Sequence, residues 1–196
     1  IMSALEAGKP ARSVTLDPRE AEQLRDLHLI TAKPVMYIAN VAEDSPAENP
    51  LVAAVQKLAQ EQGAECDVTS PALEAELAQL AEAERAEFLE SLGLTEPGLN
   101  RVIRSAYRLL GLKTFYTAGE KEVRAWTVAH DATAPEAAGA IHTDFQRGFI
   151  RAEVIAYEKF IERRGEQGAR EAGELRLEGK TYVVQEGDVI HFRFNV

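Results

Sequence analysis

Apolar and polar positions along this chain change period several times, and each change marks an element. From Lys33 to Asn40 (KPVMYIAN) the run after Pro34 is continuously apolar, the pattern of a strand buried on both faces of a parallel sheet. Asn49 and Pro50 supply a cap and a first residue for a helix through Leu51, Val52, Val55, Leu58 and Ala59, which Gly63 ends. Ala64 to Thr69 returns as a strand, and Ser70-Pro71 opens the next helix. Leu73, Leu77 and Leu80, then Phe88, Leu89 and Leu92, recur at helical spacing until Gly93, and Leu99, Val102, Ile103, Ala106 and Leu110 predict one packed helix face over 97–110. Earlier, 1–8 reads as a helix end and Asp17-Pro18 starts a helix through Leu24 and Leu27.

The period changes again after Gly111. Thr114 to Tyr116 and Glu122 to Val128 read as strands joined by a turn at Ala118-Gly119-Glu120-Lys121. A helix begins at Pro135, the pattern breaks over 145–148, and Phe149 to Tyr157 is a strand. The charged stretch 163–173 predicts a surface helix or loop. Two short strands follow, one on Tyr182, Val183 and Val184 and one on Val189, Ile190, Phe192 and Phe194, set off by turns at 178–180 and 185–188. Strands around one helix in this order predict an α+β grasp.

Composition narrows the function classes. The 196 residues are 45% hydrophobic and 28% charged, enough for one large or two modest cores, and no run of eighteen apolar residues is present to span a membrane. Nothing at the start resembles a secretory signal, and the single cysteine, Cys66, has no metal-ligand spacing; a reducing cytoplasm is expected, with Cys66 a half-buried structural thiol or a redox sensor. A net charge of −10 disfavours a generic nucleic-acid binder, DNA included. The bases are unevenly placed, however: Arg101, Arg104, Arg108, Lys113, Lys121 and Arg124 form one basic stretch, and Arg147, Arg151, Lys159, Arg163 and Arg164 another. These would face ribosomal RNA or sit as solvated, ion-paired faces.

Three stretches of the tail, TAGEKEVRAWTV, IHTDFQRGFIRAEVI and EGKTYVVQEGDVIHFRF, resemble in order the ubiquitin-like TGS domain that ends the Obg-like ATPases, the YchF family of P-loop GTPases. The resemblance implies an α/β plus α+β architecture: residues 1–30 as the end of a helical insert, 31–111 as the C-terminal part of a parallel-sheet nucleotide-binding domain, and 112–196 as a TGS β-grasp. His130-Asp131-Ala132 departs from the expected glycine turn and Glu186 from an expected aspartate; both are expected to matter little. In P-loop GTPases the strand corresponding to 33–40 ends in Asn-Lys-x-Asp, whose carboxylate accepts two hydrogen bonds from guanine. Here the pattern is Asn-x-x-Glu, Asn40 to Glu43. The longer acid no longer matches guanine, Val41 would offer backbone groups or an apolar wall to adenine, and Ser70 falls in the second base-contacting loop. By the residues alone, Asn40 and Glu43 read equally as a cap and a surface acid, and Ser70 as an N-cap. Pro71 removes an amide at that loop.

The resemblance therefore implies ATP, with GTP less favoured, Mg²⁺ in the intact protein, and the ribosome as partner. Neither Gly-x-x-x-x-Gly-Lys-Ser/Thr nor Asp-x-x-Gly occurs in these residues, so this chain is expected to be a C-terminal portion that does not hydrolyse ATP by itself. The alternative is a freestanding TGS adaptor that never binds nucleotide. His28, His130, His142 and His191 lack ligand spacing, and His142 with Asp144 is the one pair in which a carboxylate would orient an imidazole.

Overall fold

The computed structural model describes residues 1–43, 45 and 48–195, and the chain divides into two compact units, Ile1–Leu110 and Gly111–Val196. In the first unit, α1 (Met2–Glu6) and α2 (Pro18–Arg25) precede the strand β1 (Met36–Asn40). Helix α2 starts as its sequence dictates: Asp17 accepts from the amides of Arg19 and Glu20 at 2.8 and 2.9 Å, and Glu20 accepts from the Asp17 amide at 3.0 Å. Then come α3 (Pro50–Glu61), β2 (Glu65–Thr69), α4 (Pro71–Leu77), α5 (Glu82–Ser91) and α6 (Gly98–Leu109). Asn49 caps α3 through the Leu51 and Val52 amides, and Gly63, at φ 63°, ends it in the left-handed region open to glycine.

β1 and β2 pair in parallel, Met36 opposite Glu65 through Asn40 opposite Thr69. The strand is shorter than its apolar run because Ile30–Ala32 forms a 3₁₀ turn and the ladder starts only at Met36. Nor is it buried on both faces: Ala39 is buried while Ile38 is 46% exposed, so the continuous apolar pattern overstates its burial in this unit. The leucine-rich stretch from 73 to 92 is two helices rather than one run, α5 restarting at Ala81, whose amide donates to Glu84.

Helix α6 corrects the sequence reading most sharply. Leu99, Ile103 and Leu110, expected to pack, are 56%, 47% and 60% exposed, whereas Gly98 and Ser105 are buried. The side turned to β2 runs through Gly98, Arg101, Ser105 and Arg108, one residue per helical turn. Arg101 donates to the Val68 carbonyl at 2.9 Å, and Arg108 forms a two-pronged pair with Glu65 at 3.0 and 2.9 Å. The polar stripe thus faces β2, while of the apolar stripe Val102 and Ala106 are half-buried and Leu99, Ile103 and Leu110 are exposed.

The second unit is a five-stranded sheet of β3 (Leu112–Ala118), β4 (Val123–Ala129), β5 (Phe149–Ala156), β6 (Arg176–Glu178) and β7 (Asp188–Phe194) in the order β4-β3-β7-β5-β6. First and last strands lie parallel at the centre and the other pairs are antiparallel. Between β4 and β5 run α7 (Ala134–Ile141) and α8 (Thr143–Arg147); α9 (Tyr157–Glu162) and α10 (Glu166–Glu171) follow β5. Helix α7 lies close on the sheet because Ala134, Ala137 and Ala138 are fully buried, and their methyl groups meet a core built on Phe115, Val154, Ile190 and Phe192. Phe115 and Phe192 meet edge to face, centroids 5.9 Å apart.

Two expectations fail here for identifiable reasons. No strand forms at Tyr182–Val184, because its backbone bonds go to the 132–134 loop: Ala134 donates to the Tyr182 carbonyl at 2.8 Å and Val184 to the Ala132 carbonyl at 3.0 Å. The strand that does pair with β5 is Arg176–Glu178, whose one apolar residue, Leu177, gives no alternation to read. The stretch at 145–148 is likewise not a simple break, since Thr143–Arg147 makes a further helical turn. The departures at 130–132 and 186 are structural: Ala132 is buried, and the Glu186 carboxylate accepts from the Thr114 amide at 3.0 Å.

Opposite α7, the sheet carries Glu153, 6% exposed, whose oxygens accept from Arg193 at 3.1 and 3.1 Å and from Arg170 at 3.3 Å, with Arg151 at 3.4 Å. Hydrogen bonds from Arg193, aided by the charges of Arg193 and Arg170, hold its pKa below the ordinary 4.5 against the opposing effect of burial. A depressed carboxylate pKa contributes stability above the unfolded value that is lost as pH falls through the folded one. Thermal unfolding followed by the fluorescence of Trp126, the chain's single tryptophan, is therefore expected to show the second unit weakening as pH drops below 4.5, with Glu153→Gln flattening that limb. Phe115→Ala, which empties a fully buried ring site, is expected to destabilise the same transition by about 3–5 kcal/mol.

Candidate functional site

In the first unit, the carboxyl ends of β1 and β2 lie side by side, joined by a bond from the Val41 amide to the Thr69 carbonyl at 3.0 Å. Beyond them opens a cavity of about 870 Å³, within the range of small-molecule sites and at the end of a parallel sheet where such sites occur. Of the sequence-predicted residues, Val41, Glu43 and Ser70 line it together; Asn40 is exposed at the end of β1 and is not part of the lining. Val52 and Leu73 supply apolar wall.

Ser70 occupies the N-cap position of α4, but its hydroxyl makes no capping bond. The residue is 9% exposed and its Oγ has no hydrogen-bond partner, as is true of the buried Thr69 Oγ1 beside it. Buried polar atoms normally have partners, and Asp67 Oδ2 nearby in β2 likewise has none, so this strand end holds three unsatisfied groups among the described residues. The cavity's charged lining among the described residues is Glu43, Glu48, Glu74 and one guanidinium, Arg101. A polyanion is repelled by such a surface, while a neutral ring carrying an amino group finds acceptors there.

Sequence reasoning passed over Glu74 and Gly98. Glu74 Oε1 accepts from the Gly98 amide at 2.7 Å and Oε2 from the Leu99 amide at 3.2 Å, so this carboxylate satisfies the start of α6. A Cβ at Gly98 would come within 2.8 Å of both Glu74 Oε1 and Thr69 Oγ1, which only glycine avoids. The signal available in the sequence was an acid one turn after Ser70 and a glycine directly after Pro97.

Elsewhere the candidate chemistry resolves into structure. His142 Nδ1 accepts from the Asp144 amide at 3.1 Å and lies 3.5 Å from the Asp144 carboxylate, so the imidazole caps α8 beside that acid. Cys66 is half-buried, and burial together with the Asp67 charge pushes its thiol pKa up, away from a reactive thiolate. Among the described residues, Glu153, Glu166 and His191 alone are close enough together to suggest a metal, and the Glu153 oxygens are already engaged by guanidinium groups. These residues do not fit Mg²⁺, which calls for free carboxylate and phosphate oxygens. No helix among the described residues is long and apolar enough to cross a membrane.

The basic stretches are mostly paired. Arg104 bonds Glu96, Arg147 bonds Asp144 at 2.9 Å, Lys159 bonds Glu162 at 2.8 Å, and Arg163 bonds Glu174 at 3.0 Å, while Lys113 donates to the Val184 carbonyl at 2.6 Å. Arg124 lies over the Trp126 ring at 4.1 Å.

Comparison with known proteins shows what the chain is similar to. Residues 112–195 match the family described as the YchF GTPase C-terminal domain, a protein of unknown function, DUF933. Over all 196 residues the chain is 58% identical to the ribosome-binding ATPase YchF of Haemophilus ducreyi, covering 54% of that protein. It is 51% identical over its full length to the protein of the same name from Bacillus subtilis, again covering 54%. The chain spans about half the length of the relatives it matches. Among solved structures, the YchF GTPase of Schizosaccharomyces pombe superposes with a TM-score of 0.82 at 34% identity, over 96% of this chain and 50% of that one. A GTP-binding protein of Pyrococcus horikoshii, 19% identical with a TM-score of 0.59, shares the fold over 99% of this chain and 55% of that one. Residues 112–195 thus belong to the YchF C-terminal domain family, and the whole chain is similar to about half of two YchF proteins.

Proposed function

We propose that this chain is the C-terminal part of an ATP-preferring P-loop NTPase whose intact form hydrolyses ATP with Mg²⁺ and binds the ribosome. In this reading residues 1–30 end a helical insert, 31–111 complete the nucleotide-binding domain at its base end, and 112–196 form a ubiquitin-like TGS domain. The observation that carries it is the cavity at the ends of β1 and β2, lined together by Val41, Glu43 and Ser70.

Adenine fits this lining by charge and by donor pattern. Its amino group donates toward Glu43, its ring lies between Val41 and the apolar wall, and Ser70 supplies a hydroxyl. The acidic lining turns the phosphates outward, toward residues that a Gly-rich loop and its lysine would provide. The names of the relatives, ribosome-binding ATPase, support both halves of the reading. For the second unit, the strand order with first and last strands parallel at the centre, and a helix between the second and third, supports the β-grasp reading.

The test is competition of ATP and GTP for the full-length protein. Glu43→Asp is expected to narrow the preference for ATP by drawing the carboxylate back toward the position that suits guanine; equal binding of both nucleotides by parent and variant would defeat the base-reading assignment. Residues 1–196 alone are expected to release no phosphate from ATP above background, and measurable turnover by them would show that the P-loop is dispensable.

A further inference from the structure

We infer that Glu74 is the positioning residue for this base site, holding the loop that carries Ser70 against the first turn of α6. The inference rests on the reading of the cavity as the adenine site. Three bonds join the two segments: Gly98 and Leu99 donate to Glu74 at 2.7 and 3.2 Å, and Arg101 donates to the Val68 carbonyl at 2.9 Å. Between those points lie Thr69 and Ser70, the residues with unpartnered buried hydroxyls, and Thr69 in turn accepts from the Val41 amide at 3.0 Å.

Both oxygens of Glu74 are taken by amides, so it lines the cavity without being free to contact a base. What it fixes is the distance from α6 to Thr69, and through the Thr69 carbonyl the place of Val41. Gly98 completes the device, since any side chain there would enter the space of Glu74 Oε1 and Thr69 Oγ1. Glu74 also differs from Glu43 in kind. Glu43 is exposed and poised for the ligand, whereas Glu74 is committed to the frame that aims it.

The test uses the full-length protein and three competitors for one labelled adenine nucleotide: ATP, GTP and magnesium tripolyphosphate, which has phosphates but no base. Glu74→Gln keeps the shape and one acceptor but loses the charge that binds two amides. It is expected to weaken ATP about tenfold, the effect of losing one charge-assisted bond, to narrow the ATP-to-GTP ratio, and to leave tripolyphosphate unchanged. Gly98→Ala, which disturbs the same joint without touching a carboxylate, is expected to act in the same direction. Unaltered ATP affinity and base preference in both folded variants would overturn the inference. So would a parallel loss of ATP and tripolyphosphate, which marks general damage rather than misplacement of the base loop. A parent protein that binds ATP no better than tripolyphosphate would instead overturn the adenine-site reading itself, and this inference with it.

Discussion

The carboxylate of Glu74 across the first two amides of α6 is the constraint on which the first unit turns. A helix start leaves amides without partners, and a parallel strand end leaves a loop with no fixed course; one side chain settles both. Because the bond falls at the start of α6, the rest of that helix must lie along β2 with whatever face follows Gly98. That face is polar. Arg101, Ser105 and Arg108 meet Val68 and Glu65, and Leu99, Ile103 and Leu110 are carried to the open side as a consequence. The orientation of α6 thus goes with hydrogen bonds from Arg101 and Arg108 to β2 rather than with the burial of Leu99, Ile103 and Leu110.

That order of priorities explains where the sequence was legible and where it was not. Caps and breakers act through near neighbours, so Asn49, Asp17, Gly63 and the Pro135 helix start could be read directly. Period-two alternation marked β4 and β7 for the same reason. Reading by apolar stripes failed at α6 because its seat is made of hydrogen bonds to residues 24 to 43 positions away, and periodicity carries no trace of them. At β6 the three residues Arg176, Leu177 and Glu178 pair with β5 although their composition is that of a loop, since register with a neighbour outweighs propensity in so short a strand. At Tyr182–Val184 good β-formers are diverted by Asp188, which accepts from the Tyr182 hydroxyl at 2.7 Å and from the Gln185 amide at 2.8 Å.

The candidate site was legible to a similar depth. Asn40, Val41, Glu43 and Ser70 were found by resemblance at the ends of two strands, and three of the four share a cavity. The state of Ser70 was beyond reach of the sequence, because Ser-Pro reads as an ordinary cap, whereas its hydroxyl is buried and makes no capping bond. The frame around it was also invisible, since Glu74 looks like one more surface acid in an acidic stretch.

Charge in the second unit bears on how the partner is met. A binding face that works by counterion release needs basic side chains free to meet phosphates, and here most of those named in the sequence already bond acids of the same unit. Glu153 alone gathers Arg193 and Arg170 on one face of the sheet. Exchanging such pairs for phosphate contacts gains little, because a charge-assisted bond is lost for each one made. With a net charge of −10 over the chain, long-range attraction to nucleic acid is weak as well. The shape of the sheet and its loops, held by the parallel central pair and the alanine-faced helix α7, is thus the more distinctive feature of this unit's surface.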